Sequence, residues 1–581
     1  MAMSLEKVQT ILSCLLLLSI WSSLASAAGF RTVGSSGCTV QMVFIPPYTN
    51  TAVFIDNLHA NYGGPGYSVS TGKHSSTAYV YTGTTIPVFG TEFNISTSTI
   101  RTLKPLSNTF CSAGSFFPDG TMLNMAGAEA GTGVTEGFDK LRTLTPGPCA
   151  GGLCTHDWVE KGGLKVYRWY PSSLPTVDGN VLVVGGSNVG GLVLNEASIN
   201  VPTYETVYAD GRVAPAPIPL PILNFTAAQN LVPGKSYNLY PILYTMPNAA
   251  GTDQIFTIAG NQTIIWDYST NTLLKTLPDT PLAPRTFPSS ATAVLLPLEY
   301  PKYEPRVLVC GGSSGDMPAP KALADCYTMK PLDTAPTWTT EDSMPNGAQV
   351  LSDGILLPDG TVLLINGGRT GSGGGFQADD PVYVPLIYNT SAPAGKRFTS
   401  QPATAIPRLY HSVATLLPSG EVLVAGSNPA VGYSLSGAVP SGWPNFYNNG
   451  HLCALQQQQR QASKYPTEYR VEIFSPPYMS STSRPVIATL PATISYDATF
   501  NITTTTAVRG TVKMMLAAPG FHTHGVGMGQ RMIQMQAAAV ANTVQWQVIA
   551  PPNSTVITPG VYMLFVVKDG IPSEGKWLKL Q

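Results

Sequence analysis

The chain has 581 residues, a formal net charge of -1, 11% charged and 43% apolar residues. Ordinary soluble domains carry ~25% charged residues, so this balance leaves no electrostatic footprint for nucleic acid or an anionic membrane, and the frequent, patterned apolar residues exclude a disordered chain. The 56 glycines and 50 prolines break long helices and suit short strands joined by turns.

Residues 1–27 read as a secretion signal. Lys7 supplies the positive flank, Ile11–Ile20 an apolar run, and Ala25-Ser26-Ala27 a small-residue cleavage site. The run is too short to span a bilayer, and no later segment reaches ~18 unbroken apolar residues, so no membrane anchor is expected. The C-terminal Gly575–Gln581 lacks the apolar tail of a lipid-anchor signal. Asn-x-Ser/Thr sequons begin at Asn94, Asn224, Asn261, Asn389, Asn501 and Asn553, which in a secreted chain are candidate glycan sites on surface loops. The expectation is a secreted, extracellular glycoprotein.

From there a phrase of apolar pairs, an Asp-Gly or Ser-Gly turn and a closing glycine keeps returning. It reads Phe116-Phe117-Pro118-Asp119-Gly120-Thr121-Met122-Leu123, then Asp178-Gly179-Asn180-Val181-Leu182-Val183-Val184-Gly185-Gly186, then Leu357-Pro358-Asp359-Gly360 and Leu417-Pro418-Ser419-Gly420. Looser copies end at Ala259-Gly260 and Gly311-Gly312. Each copy predicts a β-hairpin, with the glycine pair as turn and alternating apolar residues as strands. Recurrence every ~50–75 residues predicts blades of a kelch-type β-propeller, seven in number, over residues 28–462. Val40–Ile45 and Ala52–Ile55 are expected to complete the last blade and close the ring.

One slot ahead of each hairpin carries reactive residues. Cys111 lies nine positions before Gly120, Tyr170 nine before Gly179, and Tyr410 ten before Gly420. Arg168-x-Tyr170-x-Ser172 parallels Arg408-x-Tyr410-x-Ser412, and Arg285-Thr286-Phe287-Pro288-Ser289 repeats the phrase with phenylalanine. The innermost strand of a blade starts near the propeller axis, so residues at this slot are expected to meet there. The glutamine-rich stretch Gln456–Gln461 then reads as a linker. Residues 463–581, opened by Arg470-Val471-Glu472-Ile473-Phe474-Ser475, carry short alternating strands such as Val512–Leu516 and Val561–Val567. They predict an immunoglobulin-like β-sandwich.

The eight cysteines are 14, 38, 111, 149, 154, 310, 326 and 453. Cys14 leaves with the signal, so an odd number remains in an oxidising compartment. Cys149 with Cys154 and Cys310 with Cys326 are close enough for loop bridges, and Cys38 with Cys453 would staple the ends of the ring. This pairing is one of many that six cysteines allow. It leaves Cys111 unpaired at the axial slot.

Two tyrosines, one or two histidines and a cysteine fit a redox copper centre, because imidazole suits Cu(II) with positions left open for substrate. Copper changes by one electron, whereas oxidising an alcohol or aldehyde removes two. A tyrosine joined to a cysteine sulfur supplies the second electron store, since the thioether lowers the cost of oxidising the phenol.

With these residues in view the chain resembles the copper radical oxidases, and among them the fungal glyoxal oxidases more than galactose oxidase. The resemblance rests on Asn108-Thr109-Phe110-Cys111, Arg168-Trp169-Tyr170-Pro171-Ser172-Ser173, Gly185-Gly186-Ser187-Asn188-Val189-Gly190-Gly191, Asn200-Val201-Pro202-Thr203-Tyr204-Glu205, Pro407-Arg408-Leu409-Tyr410-His411-Ser412 and Thr523-His524-Gly525. It implies one copper ion held by Tyr170, Tyr410, His411 and His524, the last from the sandwich domain. It implies a thioether between Cys111 and Tyr170 that holds the radical, with Tyr410 as the general base for the substrate hydroxyl. It implies oxidation of small aldehydes of the glyoxal and methylglyoxal type, as hydrates, to carboxylic acids. Dioxygen would be reduced to hydrogen peroxide, for which extracellular peroxidases are candidate users. His522 precedes His524 by two residues and would share its strand face; the family pattern points to His524.

Alternatives are an alcohol or galactose oxidase of the same family, a non-catalytic kelch binding protein and a secreted carbohydrate-binding β protein. Each site residue alone also has a plain reading. Propeller tyrosines are usually core, and a lone cysteine is usually half of a disulfide. His156 reads as a loop residue and Phe287 as axial packing.

Overall fold

The computed structural model describes residues 28–58, 88–131, 133–147, 156–190, 195–228, 236–315, 320–375, 377–429, 464–540 and 543–581, with the backbone of short strands between 66 and 86. The repeated glycine phrase builds the same turn each time. Gly120 N donates to Phe117 O (2.9 Å) and Phe117 N to Thr121 O (2.9 Å). The pattern recurs at Gly179, Gly360 and Gly420, all with φ between 83° and 94°. Asp119 and Asp359 Oδ1 accept the N–H two residues on, at 2.8 and 3.0 Å. Only glycine takes that φ without strain, and the acidic side chain holds the turn.

The hairpins grow into four-stranded antiparallel blades. One is Ala113–Phe116, Met122–Met125, Lys140–Leu144 and Val159–Gly163. Four more follow, with inner strands Ser172–Pro175, Ile242–Thr245, Thr292–Leu295 and Asp353–Leu356. A sixth begins at Val413–Leu416, and a seventh is built on Met42–Phe44, Thr51–Ile55, Gly90–Asn94 and Ile100–Thr102. Second strands such as Val181–Val184 and Val362–Ile365 are buried throughout, because each blade is covered on both faces by its neighbours. Outer strands such as Thr272–Leu277 are mostly exposed.

Two expectations about the ends need correcting. Met42–Phe44 and Thr51–Ile55 form the start of a blade of their own. The ring is closed instead by Gly29–Ser35, which pairs with Arg470–Ser475 as the outer strand of the sixth blade. Arg470–Ser475, expected to open the sandwich, is therefore the third strand of that blade, and the propeller runs past residue 462. Its alternating apolar pattern is common to both folds, so only pairing distinguishes them. The Gln456–Gln461 stretch lies outside the described residues.

The C-terminal domain is a β-sandwich whose sheets share the long strand Met532–Val540. Its strand Gly560–Lys568 is apolar on both faces for a reason. Tyr562, Leu564 and Val566 belong to the sandwich core, while Met563, Phe565 and Val567 share a buried cluster with propeller residues such as Leu356 and Leu357. A hairpin of this domain, Phe521–Thr523 and Val526–Met528, leaves the sandwich and enters the propeller. Phe521–Thr523 pairs with Met42–Phe44, and Val526–Met528 touches inner strands of four other blades, so the hairpin fills the axis. Gly114 makes room for it: a Cβ there would lie 2.5 Å from the Phe521 ring and 2.6 Å from the Phe44 ring.

A disulfide joins Cys310 to Cys326 across two paired strands, as expected. Cys38 is a buried free thiol beside Thr91, which departs from the expected bridge to Cys453; Cys453, Cys149 and Cys154 lie outside the described residues. Cys111 is free and buried. Among the described residues no helix is long and apolar enough to cross a membrane.

Candidate metal centre on the propeller axis

The axial slot is a defined backbone device. Cys111, Tyr170, Tyr240, Ser290, Leu351 and His411 each stand two residues ahead of, or just before, an inner strand with φ of 54°, 60°, 42°, 42°, 61° and 61°. Tyr170 N donates to Cys111 O (3.0 Å), Tyr240 N to Tyr170 O (2.8 Å) and Leu351 N to Ser290 O (3.0 Å), so successive blades are linked around the axis. A left-handed conformation at a bulky residue costs ~1–3 kcal/mol and persists only where surroundings impose it. Buried arginines stand beside three of these six slots. Arg168 binds Glu205 Oε1 through Nη2 (3.0 Å) and Gly185 O through Nη1 (2.8 Å). Arg408 binds Glu472 Oε2 (2.9 Å) and Arg470 O (2.9 Å), and Arg285 binds Asp325 (2.6 Å). The recurring arginine of the sequence phrase thus ties three of the six slots, those of Tyr170, Ser290 and His411, to the third strand of their own blades.

The true equivalent of Tyr170 in the sixth blade is His411, nine residues before Gly420, and Tyr410 precedes the slot. In the fourth blade Ser290 takes the slot. Phe287 lies earlier in a longer approach and stacks on the Tyr170 ring at 4.5 Å and 22°. Tyr240, in contact with Tyr170 and His524 at ring distances of 5.1 Å each, went unread in the sequence. Its signal was the Tyr170-Pro171 pair repeated as Tyr240-Pro241.

Five of the sequence candidates converge. The phenol oxygens of Tyr170 and Tyr410 are 2.6 Å apart. Cys111 Sγ lies 3.6 Å from His524 Nε2, and potential ligand atoms of Cys111, His411 and His524 all fall within 4.8 Å of one another. Cys111 and Tyr170 are also close enough to push each other's ionisation. All five are buried. His524 sits in the hairpin turn with φ of 52°, which breaks the two-residue alternation and sends it to a different place from His522. His522 is buried on the strand against Gly520 and Gly527 and is outside the cluster. His156 is exposed, as a loop residue.

Partners fix the imidazoles. His411 Nδ1 faces the carbonyl of Asn428 at 3.1 Å, so Nδ1 carries the hydrogen and Nε2 the lone pair. That Nε2 is buried with no hydrogen-bond partner. His524 Nδ1 donates to Thr523 Oγ1 at 2.6 Å, and this hydroxyl in turn donates to Gln41 O at 3.0 Å, leaving His524 Nε2 with its lone pair inward. Such outer contacts are how metal-ligating histidines are oriented. Burial pushes His411 down to about 3 and His524 well below its usual range, so both imidazoles are neutral. Burial pushes the Tyr170 phenol well up, with further upward pressure from Cys111 and Tyr410. Two neutral imidazole nitrogens and two phenol oxygens form a donor set suited to a metal ion.

Comparison with known proteins defines the class and then the family. The family model described as galactose oxidase-like, Early set domain, matches residues 484–580, and that described as glyoxal oxidase N-terminus matches residues 49–442. Together the two matches make the chain an oxidase built from a propeller and an Early-set domain. The chain belongs to the glyoxal oxidase family of copper radical oxidases. It is 31% identical to aldehyde oxidase GLOX of Vitis pseudoreticulata, over 84% of this chain and 84% of that protein. It is 31% identical to aldehyde oxidase GLOX1 of Arabidopsis thaliana over 84% and 74%, and 24% identical to a galactose oxidase of Gibberella zeae over 73% and 56%. A solved fungal alcohol oxidase in complex with copper shares the fold, with a TM-score of 0.69 and 16% identity over 96% of this chain and 100% of that one.

Proposed function

We propose that this oxidase is a secreted copper enzyme that converts small aldehydes of the glyoxal and methylglyoxal type, as their hydrates, to carboxylic acids. The overall reaction balances as RCH(OH)2 + O2 giving RCOOH + H2O2. The observation that carries the reading is the convergence of Tyr170, Tyr410, His411 and His524 beside Cys111, with His411 Nε2 aimed into the cluster and unpartnered. The aldehyde oxidases among the relatives support the substrate class.

Tyr170, Tyr410, His411 and His524 would hold the copper ion. Bound there, copper supplies one-electron redox chemistry and a site for dioxygen. Tyr410 takes the proton of the substrate hydroxyl as general base. Tyr170, joined through its ring to Cys111 sulfur, holds the second oxidising equivalent and removes the hydrogen atom from carbon. Forming that thioether takes the thiol hydrogen and one ring hydrogen to dioxygen as peroxide. Phe287, stacked on one face of the Tyr170 ring, and Tyr240, packed against it at a steep angle, exclude water from it.

Secretion is supported by the leader-like first residues and by the sequons. Asn224, Asn389 and Asn501 are exposed, and Asn94, Asn261 and Asn553 are half-exposed. Extracellular peroxidases would then be users of the product.

The test is a panel of aldehydes and alcohols, including methylglyoxal, glyoxal and galactose, assayed for peroxide on copper-loaded protein beside Cys111→Ala. Turnover is expected on the aldehydes, with copper retained but turnover nearly lost in the variant. Wild-type-like turnover in Cys111→Ala would refute the cofactor, and preference for galactose would refute the substrate class.

A further inference from the structure

Gln41 is a polar side chain outside the ligand set that reaches both Cys111 and His524. It precedes Met42–Phe44, is fully buried, and was silent in the sequence. Its Oε1 accepts the Cys111 N–H at 3.1 Å. Its Nε2 lies 3.2 Å from Cys111 Sγ and 3.4 Å from His524 Nε2. Its backbone carbonyl accepts the Thr523 hydroxyl that orients His524. An amide buried this deeply must spend its hydrogens on acceptors, and the acceptors within reach are this sulfur and this imidazole nitrogen. Once the His524 Nε2 lone pair is used in ligation, sulfur is the acceptor left.

We propose that Gln41 is a positioning residue that holds Cys111 sulfur against the Tyr170 ring and, through an N–H···S hydrogen bond, raises the reduction potential of the tyrosine–cysteine pair. This rests on the radical-cofactor reading of the site. The physical reason is the sign of the charge change. The reduced pair is a phenolate whose negative charge spreads onto sulfur, whereas the oxidised pair is neutral. A donor to sulfur therefore stabilises the reduced form more, as a hydrogen bond to a charged group is stronger than one to a neutral group. Through its Oε1 the same amide also holds the Cys111 N–H, so one side chain grips both the main chain and the sulfur of Cys111.

The experiment uses the full chain loaded with copper. Wild type, Gln41→Met and Gln41→Asn are compared by mass spectrometry of the Cys111–Tyr170 peptide pair and by redox titration of the radical absorption. Methionine keeps the volume and removes the amide; asparagine keeps the amide but withdraws it by one methylene, and serves if Gln41→Met does not fold. In wild type the peptides are expected joined and lighter by two hydrogens. In the variants the midpoint is expected to fall by an amount equal to at least a tenfold shift in the oxidised-to-reduced ratio, about 59 mV for one electron. The cross-linked fraction is expected to drop as well. A joined wild type with unchanged midpoint and cross-linking in the folded variants overturns the inference and leaves the oxidase reading intact. A variant with lowered melting temperature but an unmoved midpoint also overturns it, because Gln41 would then be structural alone. An unjoined wild type overturns the oxidase cofactor itself.

Discussion

Tyr170 and Tyr410 are 240 residues apart in the chain, and their phenol oxygens are 2.6 Å apart. Two buried hydroxyls at that distance share one hydrogen, so one donates while the other accepts. Metal ligation through Tyr170 would leave Tyr410 as the phenol whose proton is exchanged with substrate. Tyr410→Phe keeps the ring that stacks on His411 at 3.8 Å and removes only the oxygen. Its kcat on aldehyde hydrates is expected to fall by ~10²–10⁴-fold, the usual size of a lost general base, with the melting temperature little changed. Steady-state peroxide assays and thermal unfolding check both parts.

The imidazoles divide cleanly. His411 and His524 direct Nε2 inward, whereas His522 packs beside glycines outside the cluster. His411→Ala and His524→Ala are expected to lose stoichiometric copper on dialysis. His522→Ala is expected to keep it. Metal analysis of the three folded variants decides, and copper lost from His522→Ala but kept in His524→Ala would exchange their roles.

The hairpin that carries His524 depends on space. A Cβ at Gly114 would meet the Phe521 and Phe44 rings inside van der Waals distance. Gly114→Val is expected to destabilise the protein by ~1–3 kcal/mol, the usual cost of overpacking, and to weaken copper binding although it touches no ligand. Denaturant unfolding and copper titration measure the two effects separately.

Arg168 and Glu205 are both fully buried, which makes each the other's necessary partner. Arg168→Met leaves Glu205 without its cation, so a loss of ~3–5 kcal/mol is expected, as for breaking a buried pair from one side. The exposed pair Arg212 with Asp210 is the control; Arg212→Met is expected to leave the denaturation midpoint where it was.

Asp353 is buried at 1% exposure, accepts Asn366 Nδ2 at 2.8 Å, and is pushed by desolvation from 3.8 up to about 8. Between those values the folded chain holds a proton that the unfolded chain has released. Stability from this group is therefore full below pH ~4 and declines as pH rises toward 8. Asp353→Asn is expected to flatten that decline. Melting temperatures taken across the window for both proteins test it, and parallel curves would exclude the assignment.

The residues whose chemistry is peculiar to the site were legible in the sequence, because local repetition marks them. The Asp-Gly turns fix their own hairpins through short-range bonds, and the recurring Arg-x-Tyr-x-Ser phrase marks slots that an arginine must anchor. Cys111, Tyr170, Tyr410, His411 and His524 could be singled out on those grounds together with the family resemblance. What only the tertiary structure decided are relationships with no local signature. Ring closure by Gly29–Ser35 joins the two ends of the propeller, and a strand's alternation does not say which partner it takes. Gln41 matters through contacts with Cys111 and Thr523, 70 and 482 residues away, and nothing in its neighbours' identity encodes that distance. The choice between His522 and His524 turned on a single positive φ at a hairpin tip, where strand periodicity ends and the side chain is free to leave the face that the pattern assigned to it.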